Sequence, residues 1–135
     1  METKFHLPSL RKSPEKRSGD YSLNVEISVG DFFDRMSILS IKYDNGLFVQ
    51  RELEIYNKLS SQFEEFAFNR YFNIIKSVNE QLWELEDKKR KGVERYSREE
   101  SDVAYMITEL NDLRHKVKKA IDNYFNSEFT EEKSH

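Results

Sequence analysis

The strongest constraint on the fold is an apolar repeat in the second half of the chain. Its first stripe steps by four, three, four and three residues: Tyr71, Ile75, Val78, Leu82 and Leu85. Such spacing places large side chains along one face of an α-helix, as in a coiled coil. A second stripe has seven positions, of which one is charged: Val103, Ile107, Leu110, Arg114, Val117, Ile121 and Tyr124.

Helix-ending and helix-starting signals separate the two stripes. Gly92 follows four consecutive basic residues, 88–91, and cations are favourable at a helix C-terminus. Ser97 and Glu100 then form a capping box, which starts a new helix. The sequence therefore predicts an antiparallel helical hairpin over residues 69–126.

Two earlier helices and a short strand are also predicted. Ser28 with Asp31 is typical of a helix start, and Asn45 before Gly46 is typical of a helix end. A second helix is predicted for residues 47–66. Residues 21–27 alternate in polarity, which predicts one N-terminal strand whose partner a symmetry mate could supply. The predicted fold is all-α, a four-helix bundle with that strand, and its long aromatic stripes predict a homodimer.

Composition bounds the domain organisation and the function classes. A chain of 135 residues is the size of one domain, and 10 Phe, 7 Tyr and 1 Trp can fill its core although 35% of residues are charged. We expect a flexible basic arm over residues 1–20 and one helical domain over residues 21–135. Zero cysteines exclude disulfides and thiolate chemistry. A net charge of −3 argues against coating of bulk nucleic acid.

Other features predict the location of the protein and the absence of cofactors. No apolar run approaches the roughly 20 residues that a membrane span needs, and no signal-peptide core follows Met1. We therefore expect a cytoplasmic protein that contacts no membrane. Because the three histidines, His6, His115 and His135, are distant in sequence, no metal or other cofactor is expected.

Polar residues interrupt the apolar stripes at neighbouring positions of the hairpin. Asn79, Trp83 and Glu86 share one helix face, and a face of the next helix carries Asn111, Arg114, His115 and Lys118. Two interpretations stay open. One is an internal hydrogen-bond network that fixes the register of the helices, because a buried Arg must be paired. The other is a site for an anion, since cations, amides and a large ring are what a nucleotide requires.

Two acidic pairs at spacing i, i+3 leave a catalytic alternative open. Glu84 with Asp87, and Glu109 with Asp112, lie on adjacent predicted helices, and such pairs can hold Mg²⁺ against a pyrophosphate. The all-α nucleoside-triphosphate pyrophosphatases use a related arrangement, but their doubled acidic first motif is missing here. A magnesium-dependent pyrophosphatase is therefore an alternative function.

Four motifs add a family resemblance: VGDFFDRMSILSIK (29–42), NEQLWELED (79–87), LNDLRHKVK (110–118) and SEFTEEKS (127–134). Together they resemble a small all-helical family, largely without an assigned function, that occurs in phages and near bacterial glycan-assembly loci. The resemblance implies the helical fold and a functional surface that includes Asp34 and the residues flanking Trp83. It also implies the host cytoplasm as location if the chain is phage-encoded.

The sequence thus predicts non-catalytic binding of a small anionic ligand. The sharpest version is a phage-type sponge that sequesters a cyclic dinucleotide, an immune signal. An accessory protein of glycan or nucleotide-sugar metabolism, acting through protein contacts, is the first alternative. In the sponge, Arg114 and Lys118 hold phosphates, Trp83 or Tyr105 stacks on a base, Asn79 or Asn111 reads its edge, and Lys133 clamps the ligand.

Overall fold

The computed structural model describes residues 21–127, and all of the regular structure in this part of the chain is helical. The predicted all-α class is confirmed. The basic arm (1–20) and Lys133 lie outside the described residues. The four helices are α1 (Val29–Asp44), α2 (Gln50–Ser60), α3 (Glu65–Lys91) and α4 (Arg98–Tyr124).

The predicted N-terminal strand is not seen. Residues 21–28 have no regular secondary structure, and Leu23 and Val25 are exposed. A strand needs a neighbour that accepts its backbone hydrogen bonds, and the described chain contains no second strand to pair with it.

Side-chain caps fix the helix starts. Ser28 accepts a hydrogen bond from the Asp31 amide at 3.0 Å, and Ser97 accepts one from the Glu100 amide at 3.0 Å, as the sequence predicts. The α2–α3 boundary differs from the prediction because Glu64 caps α3. Its carboxylate accepts from the amides of Phe66 and Ala67 at 2.7 and 2.9 Å, so α3 begins at Glu65 without any Gly or Pro before it.

Three of the helices form the centre of the bundle. α1, α3 and α4 pack against one another in pairs, whereas α2 packs chiefly against α1 and has no buried residue. Phe33 of α1 is fully buried at the middle of an aromatic core. Its ring lies 5.0–6.2 Å, centroid to centroid, from four other rings: those of Phe32, Phe63, Phe68 and Phe125.

Contacts near both ends of the hairpin show that α3 and α4 run antiparallel, as the sequence predicts. Near its turn, Lys88 pairs with Glu99 at 3.0 Å, and near its open end the rings of Tyr71 and Tyr124 lie 4.9 Å apart. None of the described helices is both long enough and apolar enough to cross a membrane.

Gly30 brings the start of α1 against the end of α4. Its amide donates a hydrogen bond of 2.6 Å to Oδ1 of the buried Asp122. A Cβ at this position would lie 2.3 Å from the carbonyl oxygen of Lys118, so no other residue fits without moving the backbone. This close approach sets the distance between α1 and the polar face of α4.

Candidate functional site

Three helices meet at the carboxylate of Asp34. Arg114 of α4 donates from Nε to Oδ1 at 2.9 Å and from Nη2 to Oδ2 at 2.6 Å. Asn79 of α3 donates from Nδ2 to Oδ1 at 2.9 Å. The Asp34 side chain is 5% exposed and that of Arg114 is 31% exposed, so the ion pair spans from the core to the surface.

Ser37 completes these contacts, and we call Asp34, Ser37, Asn79 and Arg114 the Asp34 network. The Ser37 hydroxyl donates to the backbone carbonyl of Asp34 at 2.7 Å and accepts from Asn79 Nδ2 at 2.8 Å. Both hydrogen bonds from Asn79 leave through its nitrogen, which fixes the orientation of the amide. Its carbonyl oxygen is therefore the atom that Asn79 can offer to a ligand.

The sequence leaves open whether Arg114 belongs to an internal hydrogen-bond network or to a site for an anion. The Asp34 network shows that Arg114 forms an internal ion pair. A bidentate Arg–carboxylate contact is among the strongest charge-assisted hydrogen bonds, and removing either partner leaves a buried charge uncompensated. Arg114 and Asp34 thus form a structural ion pair that joins α4 to α1. Because about a third of its side chain is exposed, it can also contact a ligand without leaving Asp34.

A second ion pair joins the same two helices nearer the start of α1. Lys118 Nζ lies 2.8 Å from Asp31 Oδ1, and the two side chains are 13% and 21% exposed. Arg114 and Lys118 are one helical turn apart on α4, so both predicted phosphate contacts face α1. The charge of each is countered by an aspartate of that helix.

A cleft of about 270 Å³ lies above the Asp34 network, between α1, α3 and α4. We call it the polar cleft. Its walls combine an indole ring, two amides, two guanidinium groups and one carboxylate with two aliphatic side chains: Trp83, Asn79, Asn111, Arg90, Arg114, Glu86, Ile38 and Leu82.

A basic hollow of about 230 Å³ adjoins the polar cleft. It is lined by Asn111, Arg114, His115 and Lys118, and it shares Asn111 and Arg114 with the cleft. The two depressions therefore form a continuous polar surface. One end presents an aromatic ring, and the other end presents basic side chains.

Five of the seven predicted ligand residues are brought together: Asn79, Trp83, Asn111, Arg114 and Lys118. Tyr105 is not with them. It lies nine positions before Arg114, and at about 3.6 residues per turn nine positions amount to two and a half turns. Tyr105 therefore points away from the cleft, and its side chain is exposed. Lys133 lies outside the described residues.

The side chains that line the cleft could be predicted from the sequence, but the residues that hydrogen-bond to them could not. Ser37 was not predicted, and Asp34 was named only through the family resemblance. No local pattern links Asp34 to Arg114, because 80 positions separate them. The one available signal was an Arg on an apolar stripe, which demands an acidic partner somewhere in the fold.

At the outer end of the cleft, Arg90 is tied to its own helix. Its Nη2 lies 3.2 Å from Oδ1 of Asp87, and Lys91 Nζ lies 3.0 Å from Oδ2. Hydrogen bonds from Lys91 and then Arg90 lower the pKa of the Asp87 carboxyl below its usual value. Asp87 is therefore engaged by cations of its own helix.

The acidic pairs do not assemble a metal site in the described part of the chain. Among residues 21–127, no group of three or more His, Asp or Glu side chains is placed to hold a metal ion. The arrangement in the polar cleft can bind and orient a small polar molecule. Comparisons of the chain with family models, curated proteins and solved structures found no match.

Proposed function

We propose that the polar cleft binds a small anionic ligand, a nucleotide, without turning it over. The observation that carries this proposal is the coincidence of an indole ring, two amides and a guanidinium group in one depression. These groups match the three parts of a nucleotide: the face of a base, its polar edge and its phosphate.

This proposal is supported by the hydrogen bonds that fix two of the cleft side chains before a ligand binds. The Asp34 network fixes Arg114 and Asn79, so little side-chain entropy is lost when a ligand binds. Trp83 is half-buried and lines the cleft, where a base can reach its indole ring, and Asn111 is exposed. In the basic hollow, His115 and Lys118 extend the surface toward a second phosphate.

The sharper form of the proposal is a sponge for a cyclic dinucleotide. Such a ligand carries two phosphates and two bases, and small-molecule sites are typically about 300–1,000 Å³ in volume. The cleft and the hollow together fall within this range. A sponge needs affinity and abundance only, so a site of ring, amides and cations suffices.

Thermal shift of the purified full-length chain tests the proposal. The panel holds cyclic di- and trinucleotides, nucleoside triphosphates and sugar nucleotides, each with and without Mg²⁺. A ligand at 100 times its Kd that binds only the folded state adds about 2.7 kcal/mol, which is several degrees for a chain of this size. We expect a shift from a cyclic dinucleotide that is recovered intact.

Matched variants locate the site. Trp83→Ala and Asn111→Ala should abolish the shift, since neither side chain belongs to the Asp34 network. Tyr105→Ala is the aromatic control on the opposite face of α4, and it should leave the shift unchanged. Ligand breakdown that requires Mg²⁺ would instead support a pyrophosphatase. A flat panel with a co-purifying glycosyltransferase would support the accessory protein.

A further inference from the structure

The side of the α3–α4 hairpin that faces away from α1 is apolar and uncovered by the described helices. Ile74 of α3 and Met106 and Leu113 of α4 are 41%, 48% and 44% exposed. At about 3.6 residues per turn, Met106 and Leu113 lie roughly 80–100° around α4 from Arg114, which contacts α1. Ile74 lies about 140° around α3 from Asn79, which also contacts α1, so these side chains are turned away from α1. We call this surface the back face.

The charges of α4 are segregated along its length. Residues 98–111 contain four acidic side chains against one basic, whereas residues 112–124 contain four basic against two acidic. Arg114 and Lys118 face α1, where they pair with aspartates, so they do not reach a partner on the other side. Of the remaining charges, Glu109 lies in the acidic half and Lys116 in the basic half, so two copies of α4 that pack antiparallel can place these opposite charges against each other. The helix dipole does not explain this pattern, since its effect falls off within the first and last turns and the pattern extends to mid-helix.

Two of these charges flank the back face directly. Glu109 lies three positions after Met106, and Lys116 lies three positions after Leu113, so both border the apolar stripe. Both are exposed, and neither forms an ion pair with another residue of the described chain. They are available to a partner.

We propose that the back face binds a second copy of this chain, with α4 antiparallel to the α4 of the partner about a twofold axis midway between Asp112 and Leu113. In this register Glu109 of each copy faces Lys116 of the other, because the two positions are equally far from the axis. Met106 then lies opposite position 119 of the partner, and the neighbouring Ala120, with its small exposed side chain, leaves room for it.

This interface is independent of the polar cleft, which opens on the other side of the hairpin. Four helices, α3 and α4 from each copy, would pack around the apolar stripe and cover Ile74 and Leu113 in both copies. In this proposal, the homodimer that the aromatic stripes predict forms through the back face, with Glu109 of each copy against Lys116 of the other.

Charge exchange at the two exposed positions tests the register. Glu109→Lys alone, or Lys116→Glu alone, creates two like-charge contacts per dimer. Sedimentation equilibrium of the full-length chain should then show dimerisation about tenfold weaker for either variant than for the wild type, with both folded by circular dichroism. The double exchange, E109K with K116E, should restore the wild-type dimerisation constant.

Mixing the two single variants gives a second readout. Equimolar Glu109→Lys and Lys116→Glu chains have only opposite charges across the interface, so they should form a heterodimer more tightly than either forms a homodimer. Leu113→Glu, beside the axis, should abolish dimers. A wild type that is monomeric at all concentrations would overturn the proposal, as would a dimer that none of these variants weakens.

Discussion

Arg114 donates two hydrogen bonds to the carboxylate of Asp34, from Nε at 2.9 Å and from Nη2 at 2.6 Å. The contact joins α4 to α1 beside the amide of Asn79, which donates to the same Oδ1 atom. Two of the three central helices, α3 and α4, thus each contribute one side chain that donates to a single buried carboxylate of the third, α1. The same network forms the floor of the polar cleft, so stability and the proposed binding share residues.

Arg114→Ala should destabilise the fold. Removing one partner of a buried ion pair costs about 3–5 kcal/mol, and the lower end applies because Arg114 is partly exposed. Urea unfolding should show the loss. Arg98→Ala, at an exposed position on the same helix, is the control and should change the free energy of unfolding by less than about 0.5 kcal/mol.

The double variant Asp34→Ala with Arg114→Ala, compared with the two single variants, gives the free energy of interaction between the two side chains. Because the second substitution removes the charge that the first leaves unpaired, the double variant should lose less stability than the sum of the two single losses, by about 1–3 kcal/mol. Additive losses would mean that the two side chains do not interact in solution.

Gly30→Ala should also destabilise the fold, for a steric reason. The new Cβ would lie 2.3 Å from the Lys118 carbonyl oxygen, and backbone cannot yield as a side chain can. Overpacking of this kind typically costs about 1–3 kcal/mol. Gly46→Ala is the comparison, since that site has open space but a φ of +81°, so its loss of about 1 kcal/mol is purely conformational. Thermal unfolding of both variants measures the difference.

Glu86→Gln should strengthen binding of an anionic ligand. Glu86 is the one carboxylate among the residues that line the polar cleft, and it repels a phosphate there. Neutralising it with a side chain of the same shape should lower the Kd several-fold at low salt, and added salt should reduce the gain. Isothermal titration of wild type and variant checks this, with Glu84→Gln as the control outside the cleft lining. If both variants lower the Kd by the same factor, the cause is the change in net charge and not the position of Glu86 in the cleft.

The hairpin could be predicted from the sequence because its information is local. The steps of four and three residues define the stripes, and the Ser97 cap defines the start of α4, as the hydrogen bond from the Glu100 amide confirms. The α2–α3 boundary could not be predicted in the same way. Its cap is Glu64, and a carboxylate in a segment rich in acidic residues gives no distinctive signal.

The candidate site was predictable only in part. Asn79, Trp83 and Arg114 were found because polar groups on an apolar stripe stand out within one helix. Asp34 and Ser37 could not be assigned as their partners, since the contact depends on how α1 crosses the hairpin. Tyr105 does not line the cleft, because its angle around α4 turns it to the side opposite Arg114.

Trp83 provides the most direct test of the polar cleft, because the chain contains 1 tryptophan and the indole lines the cleft. Tryptophan fluorescence of the full-length chain should be followed while cyclic dinucleotides are titrated. A base stacked on Trp83 should quench the emission in a saturable manner, and Asn111→Ala should shift the titration to higher concentration. Unchanged emission with every nucleotide of the panel, up to about 1 mM, where binding contributes only about 4 kcal/mol, would contradict nucleotide binding in the cleft.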